Sequence, residues 1–173
     1  MLPSILISEN EIQKRVNELA CRISKDYPDG VYIVGVLNGS RIFMTDLVKK
    51  LKVPASCSFI KASSYGKLAQ SNGKVEIDLK MIPPLKNKRV LIVEDIIDTG
   101  LTLEHIRDTL LLHSPIDLKI CVLLDKPSRR IAEINVNYIG FTIEDKFVVG
   151  YGMDYNEQYR DLPDIRFISD FVV

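Results

Sequence analysis

Apolar positions along this chain switch between a helical and a strand rhythm. Ser8-Glu9-Asn10-Glu11 has the form of a capping box, and Ile12, Val16, Leu19 and Ile23 follow at helical spacing, which predicts an amphipathic first helix over 8–26. Tyr27-Pro28-Asp29-Gly30 reads as a turn. Val31-Tyr32-Ile33-Val34-Gly35-Val36-Leu37 is the short, almost wholly apolar run expected of a strand buried on both faces. After Asn38-Gly39-Ser40 a helix is predicted to about Leu51, and a strand over 54–61. Arg89 to Val93 reads as a second buried strand ending in Glu94-Asp95, Thr102 to His113 as a helix, and Leu118 to Leu124 as a strand. Two further short strands are expected near 136–143 and 146–150. Strands alternating with helices predict an α/β fold, a mostly parallel central sheet flanked by helices, in one domain spanning 1–173. In such sheets ligands bind beyond the carboxyl ends of the strands. Three polar stretches fall at such ends: 38–40, 94–102 and 125–130.

Residues 63–74 break the rhythm. They are polar and glycine-bearing, a long loop where most connections should be short, and such loops are functional lids or disordered segments.

Composition narrows the class. The 173 residues are 46% hydrophobic and 27% charged, as in ordinary globular proteins, with 23 basic against 23 acidic side chains. That balance offers no basic excess for a nucleic-acid backbone. Cys21, Cys57 and Cys121 are an odd number without zinc-type spacing, which suits free thiols in a reducing cytosol. The first residues do not read as a signal peptide, and no apolar run approaches the ~18 residues needed to span a bilayer. A cytoplasmic protein without membrane partners is expected. His105 and His113 read as surface residues of the helix after 94–102.

The sharpest chemical pattern is Val90-Leu91-Ile92-Val93-Glu94-Asp95-Ile96-Ile97-Asp98-Thr99-Gly100-Leu101-Thr102. An apolar strand leads into two adjacent acids and then a small polar turn that opens a helix. A helix start presents free N–H groups and a positive dipole end, so Asp98 to Thr102 can wrap a monophosphate. Gly100 allows close backbone approach, and Thr99 and Thr102 add hydroxyl donors. Glu94 and Asp95 cannot bind phosphate, but suit ribose hydroxyls or a hydrated magnesium ion.

This stretch resembles the phosphoribosyl pyrophosphate (PRPP) signature of type I phosphoribosyltransferases, and its form is similar to that of the hypoxanthine-guanine subfamily. The resemblance runs from about residue 7 to 168. It implies the type I fold, with a small hood and a flexible catalytic loop. It implies transfer of the 5-phosphoribosyl group from PRPP to N9 of hypoxanthine, and of guanine, giving IMP or GMP and pyrophosphate in purine salvage.

The resemblance also implies roles. Leu37-Asn38-Gly39-Ser40 looks like the pyrophosphate loop, which carries a non-proline cis peptide; relatives often have a basic residue where this chain has Asn38. Glu94 and Asp95 hold the ribose and a magnesium ion, and Asp98, Thr99, Gly100, Leu101 and Thr102 take the 5′-phosphate. Asp98 acts as the general base or acid at purine N7. Ser64 and Tyr65, in Ser63-Ser64-Tyr65-Gly66, belong to the lid. Lys126, in Leu124-Asp125-Lys126-Pro127-Ser128-Arg129-Arg130, donates to the purine O6. In the block 145–155, Phe147 stacks on the base, the Val148 backbone meets its edge, and Asp154 binds a second magnesium near its 2-position. Arg160 grips pyrophosphate. Arg129 and Arg130 read chiefly as solvated charges, with a place for Arg130 near pyrophosphate or the base. A homodimer or homotetramer is implied.

Three other readings compete. A relative of the same fold could act on xanthine or a pyrimidine. A regulator could sense PRPP and bind nucleic acid, although this chain has neither room for a helix-turn-helix domain nor a basic surplus. A receiver-like or flavin-binding domain would use Glu94-Asp95 as an acid pocket, but leaves Lys126 and Phe147 without a role.

Overall fold

The computed structural model describes residues 3–64 and 75–168. In chain order the elements are β1 (Ser4–Ile7), α1 (Glu9–Asp26), β2 (Val31–Leu37), α2 (Ser40–Lys50), β3 (Ala55–Ser64), β4 (Val75–Asp78), β5 (Arg89–Ile97), α3 (Leu101–Leu111), β6 (Asp117–Asp125), β7 (Tyr138–Thr142), β8 (Val148–Val149) and β9 (Ile165–Phe167), with one 3-10 turn over Pro127–Arg129.

The expected capping box forms. The Ser8 side chain accepts from the Glu11 N–H, and the Glu11 carboxylate accepts from the Ser8 N–H at 2.9 Å. Ile12, Val16, Leu19 and Ile23 are all buried, so the predicted stripe is the face that docks.

Six strands form the main sheet in the order β4-β3-β2-β5-β6-β7. Every pairing is parallel except β3 with the edge strand β4. Its central strands are apolar at successive positions because both faces are covered. Ile33, Leu91, Val93, Cys121 and Leu123 pack with α1 and α2 on one face. Val34, Val90, Ile92, Ile120 and Val122 pack with Leu103, Ile106 and Leu110 of α3 on the other. A helix on each face hides the alternation that a half-exposed strand would display.

A second sheet, β1-β9-β8, is antiparallel and forms the hood. Arg166 clamps it. Its guanidinium donates to both oxygens of Asp164, at 2.7 and 2.9 Å, and to the Pro3 carbonyl at 3.2 Å.

Several expectations need correction. The strand expected over 146–150 is only Val148–Val149 and lies in the hood. β1, β4 and β9 were not expected; each is three or four residues long, and β4 joins only a sheet edge. β5 runs on through Glu94 and Asp95 to Ile97. Ser63 and Ser64 continue β3 rather than opening a loop, and residues 65–74, with Tyr65, lie outside the described residues.

Candidate active site

Strand order sets the location. From β2 the chain passes through α2 to β3 on one side; β5 lies on the other side of β2, and the chain passes from it through α3 to β6. The connections therefore diverge between β2 and β5, and at such a switch point the loops part and leave a crevice. The register aligns the strand ends: Gly35 pairs with Val93, and Ile97 with Asp125. Loops 38–40, 98–100 and 126–130 thus meet at one end of the sheet, beneath the hood.

A cavity of about 340 Å³ opens there. It is lined by Asn38, Gly39, Asp95, Asp98, Lys126, Phe147, Val148, Asp154 and Arg160, together with Ile96 and Met153. A smaller hollow of about 120 Å³ adjoins it, lined by Glu94, Asp98, Thr99, Gly100 and Thr102 among others. Asp98 lines both. A hollow as large as the first lies at the opposite end of the sheet, beside Asp29, Tyr32 and Arg89. It sits at the amino ends of the strands, away from these loops.

The small hollow is the start of α3. Gly100 has φ of 83°, a left-handed conformation that glycine adopts without a Cβ penalty. No side chain caps α3 among the described residues, so its first N–H groups remain for a ligand. The N–H groups of Ile131 and Ala132 donate to the Thr99 carbonyl at 2.9 and 3.0 Å, which fixes the turn from behind.

Glu94 and Asp95 are neighbours in a strand and face different hollows, as the two-residue period of a strand requires. Burial of the Glu94 carboxyl, and then the charge of Asp95 beside it, pushes Glu94 well above the usual carboxylate range. Some surface of the Glu94 residue stays exposed, but the carboxyl itself lies deep.

The peptide Leu37–Asn38 is cis. A Cβ at Gly39 would collide with the Asp95 carboxylate, and one at Gly152 would strike the Gly39 carbonyl. Two glycines therefore let β2's loop, β5's acid and the hood turn close on one another. The Ser40 hydroxyl is fully buried and donates to the Val36 carbonyl at 2.5 Å, so only its backbone can serve a ligand. Leu37 and Leu101 line neither hollow. Ser64 ends β3.

The side of the cavity around Lys126 is rich in ion pairs. Lys126 is buried and its ammonium lies 3.5 Å from Asp145. Arg129 Nε donates to Asp98 at 2.9 Å, and another Arg129 nitrogen reaches Asp145 at 3.3 Å. Arg130 pairs with Asp125 and donates to the Asp98 carbonyl at 3.1 Å. Phe147 meets Tyr155 edge-on, ring centroids 5.6 Å apart. Arg160 pairs with Asp154 at 2.8 Å and donates to the Gly152 carbonyl.

Residues 6–156 match the family model for the phosphoribosyl transferase domain. The chain belongs to the phosphoribosyltransferase family. It is 48% identical, over 91% of this chain and 90% of the relative, to a hypoxanthine phosphoribosyltransferase of Haemophilus influenzae. It is 41% identical, over 96% and 94%, to a hypoxanthine-guanine phosphoribosyltransferase of Aquifex aeolicus. A solved hypoxanthine-guanine phosphoribosyltransferase from Bacillus anthracis superposes with a TM-score of 0.91 at 42% identity, over 97% of this chain and 99% of that one.

The carboxylates available to a magnesium ion are Asp95 and Asp154 in the cavity wall and Glu94 in the smaller hollow. Among the described residues no group of three or more acid, His or Cys side chains forms a metal cage. One or two carboxylates with substrate phosphates is the arrangement magnesium prefers. From the sequence Arg129 reads as a solvated charge and Asp145 has no role; in the structure Arg129 pairs with Asp98, and Asp145 with both Arg129 and Lys126. Their charges were visible, but the chain of partners forms only when 98, 129, 145 and 126 come together. No helix of the described residues is long and apolar enough to cross a membrane.

Proposed function

We propose that this phosphoribosyltransferase moves the 5-phosphoribosyl group of PRPP onto N9 of hypoxanthine, and of guanine, releasing pyrophosphate. The observation that carries this reading is that a buried cation, Lys126, and a carboxylate, Asp98, line the same cavity as the Phe147 ring, each of the two charges having a different ionic partner. A 6-oxopurine offers an acceptor, O6, beside an N7 proton. Adenine would set an amino group against the Lys126 donor.

The division of labour follows. The α3 start with Thr99, Gly100 and Thr102 takes the 5′-phosphate, while Asn38, Gly39 and Arg160 take the pyrophosphate, the arginine by a planar fork. Glu94 and Asp95 hold the ribose and favour positive charge developing on it as the C1′ bond opens. Asp98 manages the N7 proton as N9 attacks. Phe147 supplies apolar contact to the base, and the Val148 backbone its edge. Ser64 and Tyr65 would cover the site and keep water out. Glu94, Asp95 and Asp154 would hold magnesium, which when bound neutralises the pyrophosphate leaving group.

The same reading treats 1–173 as one domain that works in the cytoplasm as a homodimer or homotetramer on small-molecule substrates. The test is turnover with PRPP and magnesium, offering hypoxanthine, guanine, xanthine and adenine separately. Turnover of hypoxanthine with little of adenine is expected. A folded protein that turns over no base, or prefers adenine, overturns the proposal.

A further inference from the structure

Resting on that reading, we infer that Arg129 and Asp145, which do not themselves address the base, form a bridge that sets the spacing of Asp98 and Lys126 and so tunes the site to the O6/N7 edge of a 6-oxopurine.

Lys126 and Asp98 must present opposite charges side by side to adjacent atoms of one ring edge. Left alone, an ammonium and a carboxylate so placed would pair with each other and turn away from the base. Here each has another partner. The charges alternate along a chain: Asp98 to Arg129 at 2.9 Å, Arg129 to Asp145 at 3.3 Å, Asp145 to Lys126 at 3.5 Å. Each Asp145 oxygen takes one cation, Oδ1 the lysine and Oδ2 the arginine. Arg129 takes Asp98 through Oδ1, which leaves Oδ2 to turn toward the base.

The planar guanidinium suits this duty because its nitrogens have fixed directions, so two carboxylates bound to it acquire a fixed separation. Backbone bonds and Arg130 already hold the 3-10 turn Pro127–Arg129 to the turn after β5; the bridge adds the side-chain tie that brings in the segment before Phe147. The bridge is not there chiefly for stability. Arg129, Asp98 and Asp145 are each about a third or more exposed, where an ion pair contributes little to folding. Arg129 is thus a positioning residue, and so is Asp145.

The test compares the wild type with Arg129→Gln, Arg129→Lys, Asp145→Asn and the Arg129→Gln/Asp145→Asn double variant, each first shown to be folded by its melting curve. The KM for hypoxanthine is expected to rise roughly tenfold in each Gln or Asn variant, as for loss of a hydrogen bond to a charged group. The KM for PRPP should stay unchanged. The double variant should be no worse than the poorer single one, because both remove the same link. Arg129→Lys should restore only part of the loss. If Arg129→Gln does not fold, Asp145→Asn carries the comparison. Unmoved KM for hypoxanthine in folded variants, a parallel rise for PRPP, or additive losses would overturn the bridge. A wild type without turnover would overturn the functional reading and this inference with it, whereas an active wild type with unmoved variants overturns the bridge alone.

Discussion

Asp98 lines both hollows, and the N–H groups that follow it open α3. Asp98→Asn keeps the shape and removes the charge proposed to manage the N7 proton. PRPP binding should persist in calorimetry while kcat falls by about a hundredfold or more, the scale of lost general acid–base catalysis. Equal turnover would remove Asp98 from that role. Gly39 is constrained differently, since any Cβ there meets the Asp95 carboxylate. Gly39→Ala must displace the acid or the loop, and PRPP affinity should drop about tenfold or more, on the scale of an overpacked site. At this scale the turn from Asp98 to Thr102 stood out because glycine, threonine and paired acids have few other uses in that order. Ser40 was not, because nothing in its identity says that its hydroxyl goes to Val36.

Elements are held to one another through polar ties at their ends. At the C-terminal end of α1, Asp26 accepts a hydrogen bond from buried Tyr138 of β7 and pairs with Lys119 of β6 at 3.3 Å. The Tyr138 hydroxyl, and then Lys119, lower the Asp26 carboxyl below its usual range. The stabilisation is therefore present above the ordinary carboxylate range and is lost as pH falls through the lowered value. Tyr138→Phe should cost about 1 kcal/mol at neutral pH, tempered by the partial exposure of Asp26. Its deficit in urea unfolding should shrink as the buffer is made more acid. A deficit that stays constant with pH would show that the phenol acts only by packing. The hood has its own tie, the tyrosine hydroxyl of Tyr151 donating to Asp46 of α2 at 2.6 Å, which seats the turn carrying Gly152 over β2's loop.

For the whole molecule, the site is a junction of two sheets and three loops, and its ligand should act as an additional crosslink. PRPP with magnesium, at roughly a hundred times its Kd, should stabilise the fold by about 2.7 kcal/mol. The melting temperature should rise by several degrees, and chelating the metal should remove much of the gain. A rise unaffected by chelation would argue against Glu94, Asp95 and Asp154 as magnesium ligands.

The sequence by itself determined the central elements, since a helix cap, an apolar stripe and a run buried on both faces are local patterns that burial must satisfy. It also marked the turn that opens α3, because that pattern is held in consecutive residues. Only the tertiary structure decided how the hood is built, since β1 and β9 are too short to have a period and exist through pairing across 163 residues of chain, as between Ser4 and Phe167. The same is true of the four-charge chain beside Lys126. Its members come from three loops, and charge along the sequence does not state which carboxylate a guanidinium will reach.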